Sequence, residues 1–291
     1  MSLVNLNEIL ADAREKKYAV PAFDVADYRM SRAVLDVAEE MRAPVILMGL
    51  GADQTEEQFD LFSPQLHAMA LKATVPVCVH LDHATDLDSV KKAICQGYSS
   101  VMIDASTYSL EQNIAVTRQV VEYAHQYGVS VEAELGHVGD GIVGSSVDSA
   151  RGNSGHESSL TDVEEMKHFI RETNVDCLAV SFGTSHGVYK CEPHLELDLL
   201  SELNEASTVP LVVHGGSGTP DDQMKEAIQR GICKVNIFSE VVEAFFTQMR
   251  DFLCEQNNLA LWTRTAYREP VEAMKEKVRE KIILLGADGK A

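Results

Sequence analysis

Three histidines in this 291-residue chain stand where an apolar run gives way to polar or glycine-rich sequence: His83 closes PVCVHLDH, His186 closes CLAVSFGTSH, and His214 follows PLVV. Three imidazoles with a fourth position left open make a catalytic zinc site, because neutral nitrogen ligands leave the ion enough positive charge to polarise a carbonyl. Their spacing is far too wide for a compact zinc finger, so the reading requires a fold that brings three separated strand ends to one rim. Asp82 precedes His83; successive strand residues point apart, so its carboxylate should diverge from the imidazole and serve proton transfer rather than ligation. His80 shares the parity of Asp82 and lies deeper, which suits packing or a hydrogen bond behind the site.

Directly after His214 comes Gly215-Gly216-Ser217-Gly218, then Thr219-Pro220 opening a helical pattern. Residues without a Cβ expose backbone N–H groups to an anion, and the following helix adds its positive end. Ser217 can donate a hydroxyl hydrogen bond, and Asn236 and Ser239 lie where the other side of a phosphate cradle should be. Glu132 and Glu134 share a strand face, with Asp104 near the end of the preceding strand. Asp104 and Glu134 could hold a second or alternate metal position; salt bridges inside the fold explain the carboxylates about as well. His67, His125, His168 and His194, on helices or loops, are expected to be structural.

Eight apolar runs separated by amphipathic stretches must position these groups: residues 18–23, 44–49, 76–83, 100–106, 130–137, 177–186, 210–218 and 234–240. That alternation is the βαβα rhythm of a parallel sheet, and eight repeats close a (β/α)8 TIM barrel, in which catalytic groups sit at the C-terminal strand ends and phosphate binds after strands seven and eight. An opening helix over 5–16 and extra C-terminal helices over 239–285 bracket the barrel. Thr161 with Glu164 reads as a capping box, and Thr219, Pro220 and Gly231 as N-cap, N1 and C′ of one helix. Residues 138–159, with five glycines and six serines, have neither helical nor strand periodicity and read as a loop that could act as a lid. With no linker-like composition shift, residues 1–291 are expected to form one domain.

The formal charge of −20 and pI near 4.8 argue against a sequence-independent grip on nucleic acid or an anionic membrane, which needs basic patches. Small molecules are the expected partners. Six cysteines without a CxxC pair, no signal-peptide core and no membrane-length apolar run lead to the expectation of a reduced, cytoplasmic protein.

The segments HLDH, AELGHVG, GTSHGVYK, HGGSG and KVNI, in their order and at these strand ends, resemble the class II metal-dependent aldolases, particularly the tagatose-bisphosphate and fructose-bisphosphate branch, over residues 5–288. The resemblance implies one zinc held by His83, His186 and His214, with Asp82 transferring a proton to and from the aldehyde-derived oxygen. It further implies that Gly187, Gly215, Gly216, Ser217, Asn236, Ile237, Phe238 and Ser239 hold dihydroxyacetone phosphate, with a monovalent cation often near the phosphate, and that the subunits form homodimers or homotetramers.

Some positions depart from that pattern. Where the family commonly carries a GGVED-type segment whose glutamate abstracts the carbon-bound proton, this chain reads Gly139-Asp140-Gly141-Ile142-Val143. Asp140, Asp148 and Glu157 are the candidate replacements, with Asp140 preferred for proximity. Asp24 stands for a usual asparagine, Leu50 for a small polar residue and Phe238 for a small or acidic one, which shrinks and de-polarises the sugar end of the pocket. The expectation is a zinc-dependent aldolase releasing dihydroxyacetone phosphate and an aldehyde from tagatose bisphosphate, fructose bisphosphate or a less common ketose 1-phosphate. A metal-dependent sugar-phosphate isomerase or epimerase, and a non-catalytic sugar-phosphate-binding subunit, are the alternatives.

Overall fold

Eight parallel strands close into a barrel in the computed structural model, which describes residues 2–11, 13–50, 56–140, 159–187 and 193–291. They are β1 (Val20–Val25), β2 (Val45–Leu50), β3 (Val77–Ala84), β4 (Ser100–Ile103), β5 (Ser130–Leu135), β7 (Cys177–Val180), β9 (Leu211–Val213) and β10 (Ile232–Ile237). Each strand pairs with its neighbours in chain order, and β10 pairs back onto β1 through Val20↔Lys234 and Ala22↔Asn236. Among the described residues two further strands, β6 (Gly139–Asp140) and β8 (Ser185–His186), form a small parallel pair outside the barrel. The (β/α)8 barrel expected from the eight runs is therefore the fold. Asp148, Glu157 and Cys191, and the side chains of Leu50 and Asp140, lie outside the described residues, as does most of the 138–159 loop.

Local sequence explains the helices around it. In the helix Tyr28–Met41, Met30, Ala33, Val34, Val37 and Ala38 recur at helical spacing and are buried. Asp27 caps its start by accepting from the Met30 N–H, a cap worth about 1 kcal/mol. Arg42 ends it in the left-handed conformation, φ 52°, with its N–H on the Ala38 carbonyl.

Three helix expectations are corrected. The opening segment is two short helices, Leu6–Ile9 and Ala13–Lys16, whereas the C-terminal helices expected over 239–285 are present as Ser239–Cys254 and Thr263–Leu284. The helix Val163–Thr173 is capped by Asp162, not Thr161, because the Thr161 hydroxyl is needed elsewhere: it donates to the Leu135 carbonyl at 2.5 Å and accepts from the Ser181 N–H at 2.9 Å. Pro220, rather than Thr219, holds the N-cap position of Asp221–Gln229, while Gly231 does follow its C-cap with φ 116°.

No described helix is long and apolar enough to cross a membrane. The five described cysteines are free, with Cys78, Cys177 and Cys233 buried.

Candidate metal centre

The barrel interior places ionisable side chains where a hydrophobic core would be simpler. His80 and Asp82 on β3, Glu132 and Glu134 on β5, and Lys234 and Asn236 on β10 are all buried. Each pair is two residues apart and so shares one strand face. Above them, at the strand ends, the rings of His83, His186 and His214 pack with centroids 4.9–5.6 Å apart. One nitrogen from each lies within 4.8 Å of the others, which is the span of ligands around one ion.

The three histidines reach this point by different routes. His214 follows β9 directly and is fully buried. His186 is not at the end of a barrel strand, as the 177–186 run suggested; β7 stops at Val180, and the chain returns through β8, where His186 pairs with Asp140. Gly215 permits that approach. It has φ 68°, and a Cβ there would run into the Ser185 carbonyl oxygen, so only glycine lets the β9 loop meet β8 beside His186.

His83 overturns the expected divergence from Asp82. Its φ is 48°, and the β3–β4 register slips between Leu81 and Ala84, which is a bulge. The bulge cancels strand alternation at this one residue and brings His83 Nε2 to 3.8 Å from Asp82 Oδ2.

Carboxylates fix which nitrogens face the centre. Asp104 Oδ2 lies 2.9 Å from His83 Nδ1, leaving Nε2 toward the other rings. Glu132 Oε1 lies 2.8 Å from His214 Nε2, leaving Nδ1 toward the centre, 2.9 Å from Glu134 Oε2. Such carboxylate–imidazole pairs orient a metal-binding ring and raise its basicity. Asp104 thus supports His83, although His83, Asp104 and Glu134 also form a second group with metal-ligand spacing.

Charge balance favours a cation here. The carboxyls of Asp82, Asp104, Glu132 and Glu134 are all held below their usual ranges: burial works against ionisation, but His83, Lys234 and His214 outweigh it. Against four carboxylates stands one buried ammonium, Lys234, kept charged despite burial by Glu132. Burial would also push His83 and His214 down; Asp82 and Asp104 for the first, Glu132 and Glu134 for the second, push both up instead. His186, with burial and two cationic neighbours, falls to about 4 and is neutral. A divalent ion among these nitrogens supplies the charge that protons otherwise carry, so the donor set fits a metal such as zinc.

Asp24 lies at the inner face of β1, where its surroundings favour the neutral form of the carboxyl. Burial and the Asp82 carboxylate raise it well above the usual range. A neutral carboxyl can donate to Asp82 much as the amide of asparagine would.

The glycine-rich turn after His214 is more internally bonded than its composition suggested. The Gly216 N–H donates to the Asn236 carbonyl at 3.1 Å, and the Gly218 N–H to Glu240 Oε1 at 2.7 Å. Gly216 therefore contributes shape, since a Cβ would strike Val235 and Asn236. The Phe238 N–H donates to Ser217 Oγ at 3.2 Å, and that hydroxyl keeps its own hydrogen to donate. Ile237 is buried at 1 % exposure and offers backbone alone; Ser239 begins the next helix, and Gly187, with φ 76°, follows His186. The Asn236 side chain points inward to Asp82 and Lys234.

Lys234 and Glu132 were the residues sequence reasoning undervalued. The period-two pairing of Lys234 with Asn236 in KVNI was the available signal. His80 lies behind the site as expected, its Nδ1 2.8 Å from Ser100 Oγ, and burial first of all brings it to about 4. His67 and His125 meet Gly97 and Asp176.

Comparison with known proteins agrees with this geometry. A family model described as fructose-bisphosphate aldolase class-II matches residues 4–290. The chain is 38% identical over 297 residues to a fructose-bisphosphate aldolase of Geobacillus stearothermophilus, covering 100% of this chain and 99% of the relative. It is 36% identical over 300 residues to a 6-phospho-5-dehydro-2-deoxy-D-gluconate aldolase of Bacillus subtilis, covering 100% and 98%. The crystal structure of the YdjI aldolase of Escherichia coli K12 superposes with a TM-score of 0.86 at 35% identity, covering 99% of each chain.

Proposed function

The chain belongs to the class II fructose-bisphosphate aldolase family and is an aldehyde-lyase; on that premise we propose that it cleaves a ketose phosphate reversibly to dihydroxyacetone phosphate and an aldehyde, using one zinc held by His83, His186 and His214. The observation that carries the reading is the convergence of those rings next to Asp82, with Asp104 and Glu132 orienting two of them. Zinc supplies fixed positive charge against the negative charge that develops on the ketone oxygen as the carbon–carbon bond breaks.

The chain's own residues do the rest. Asp82, an ionised carboxylate, accepts the proton of the hydroxyl on the aldehyde side of the scissile bond as that bond's electron pair passes to the ketone half; in condensation it returns the proton. Asn236 Nδ2, 3.3 Å from Asp82 Oδ1, holds the carboxylate in place while Oδ2 faces His83. The turn from Gly215 to Ser217, with Gly187 and the stretch from Asn236 to Ser239, forms the phosphate cradle, and a monovalent cation beside it fits the same reading. Asp140 is the preferred carbon-proton base for its nearness to His186 along β6 and β8. A single domain, a homodimer or homotetramer, and a cytoplasmic location complete the proposal. The isomerase and non-catalytic readings have no observation in their favour that the aldolase reading does not already use.

The test is a screen of ketose phosphates with the zinc-loaded enzyme, following release of dihydroxyacetone phosphate. Tagatose 1,6-bisphosphate, fructose 1,6-bisphosphate, 6-phospho-5-dehydro-2-deoxy-D-gluconate and ketose 1-phosphates form the panel. Cleavage of one in strong preference to the others is expected; cleavage of none sinks the reading.

A further inference from the structure

A fully buried lysine at the centre of a barrel calls for a reason. Lys234 has 0 % exposure, and taking an ammonium out of water is so costly that a well-packed apolar side chain would serve the barrel as well or better. Its presence points to what its three hydrogens hold. Nζ lies 2.8 Å from Glu132 Oε2 and 2.6 Å from Asn236 Oδ1.

Each contact passes the constraint to a different reactive group. Glu132 has one oxygen on Lys234 and the other on His214 Nε2, 2.8 Å away. With that oxygen accepting, Nε2 carries the ring hydrogen and Nδ1 keeps its lone pair for the metal. Asn236 has two ends that differ only as donor and acceptor. An ammonium has no acceptor, so the end facing Lys234 must be the oxygen, and the NH2 end is turned to Asp82 Oδ1 at 3.3 Å. Without the lysine, the amide has no reason to keep that orientation.

We propose that Lys234 is a positioning residue that holds two parts of the site at once: the ring of His214 through Glu132, and the carboxylate of Asp82 through Asn236. The activity arm of this inference rests on the aldolase reading; its metal arm does not.

Lys234→Met keeps length and removes the charge. Zinc affinity, measured on the metal-free protein against a chromogenic chelator, is expected to fall about 10- to 100-fold. At saturating zinc, kcat is expected to fall about tenfold or more while KM for the ketose moves little, because Asp82 acts in the bond-breaking step. A lysine that only stabilised the fold would lower the melting temperature and leave both quantities unchanged; that result overturns the proposal. In Lys234→Met with Glu132→Gln, no carboxylate is stranded, and the carbonyl of the substituted amide can still accept from His214. Zinc affinity should recover toward wild type, but kcat should stay low; full recovery of kcat overturns the Asn236 branch. If Lys234→Met alone does not fold, the double variant carries the kcat test. In zinc-loaded wild type, 15N-histidine spectra must show His214 as the Nε2–H tautomer, and the Nδ1–H form overturns the Glu132 branch whatever the variants do. If wild type cleaves no ketose, the aldolase reading fails, while the zinc affinities still decide the metal arm.

Discussion

Glu132 Oε1 lies 2.8 Å from His214 Nε2 while Glu134 Oε2 lies 2.9 Å from His214 Nδ1, so one buried ring is held between two carboxylates. In the metal-free protein that arrangement stabilises a proton on His214, as Asp82 and Asp104 do on His83. A zinc ion bound there would have to displace those protons. Both folded-state values are raised, so the protonated forms persist above the ordinary histidine value near 6.5, and zinc affinity should weaken as pH falls through that region. Calorimetry in buffers of different ionisation enthalpy should show net proton release on zinc binding; zinc uptake without proton release would contradict it.

Asp82→Asn should cost kcat about 10²-fold or more, as expected for loss of a general acid–base group. Zinc binding should survive, because Asp82 is not in the histidine triad. A kinetic assay beside a zinc titration separates the two effects.

Asp24 gives a pH-dependent stability with a definite sign. Its folded value is raised by burial and by Asp82, so its contribution is fully present below the ordinary carboxyl value near 3.8 and is lost as pH rises through the folded value. Asp24→Asn removes the ionisation and keeps a donor for Asp82. Chelator-treated variant and wild type should have similar stability near pH 4, with the variant gaining as pH rises toward about 7. Denaturant melts across that range check it; a constant difference would be evidence against a neutral Asp24.

Gly215→Ala should damage metal binding as well as phosphate binding. The added Cβ meets the Ser185 carbonyl, next to His186, and φ 68° disfavours any L side chain by about 1–2 kcal/mol. Reduced zinc affinity is the expected readout. A variant with normal zinc affinity and only a raised KM would restrict Gly215 to the phosphate cradle.

Thr161→Val should destabilise the fold by about 1–3 kcal/mol, since it leaves the buried Ser181 N–H and Leu135 carbonyl short of a partner. Thr161→Ser should restore most of that loss. Equilibrium unfolding in denaturant measures both.

The barrel was legible from sequence because its signal is local and repeated: eight apolar runs, each ending in turn residues, separated by stretches with a helical face such as that of Tyr28–Met41. His83 and His214 stand at or just past strand ends that a parallel barrel brings to one rim, whereas His186 reaches the same place only through β8, which no strand pattern in the sequence marked. Capping was less so, because a hydroxyl such as that of Thr161 has several bonding options and only packing selects among them.

What the sequence by itself determined was the inventory: the eight runs that become strands, the residues two apart that share a face, and the carboxylates and imidazoles that the barrel had to place. The tertiary structure decided how they point. The bulge at His83, the detour of His186 through a two-residue strand, and the lysine that orients Glu132 and Asn236 all depend on contacts between segments distant in the chain. Strand periodicity assigns a side chain to a face, but donor direction and ring orientation are set by the partner across the barrel, and that partner exists only once the barrel has closed.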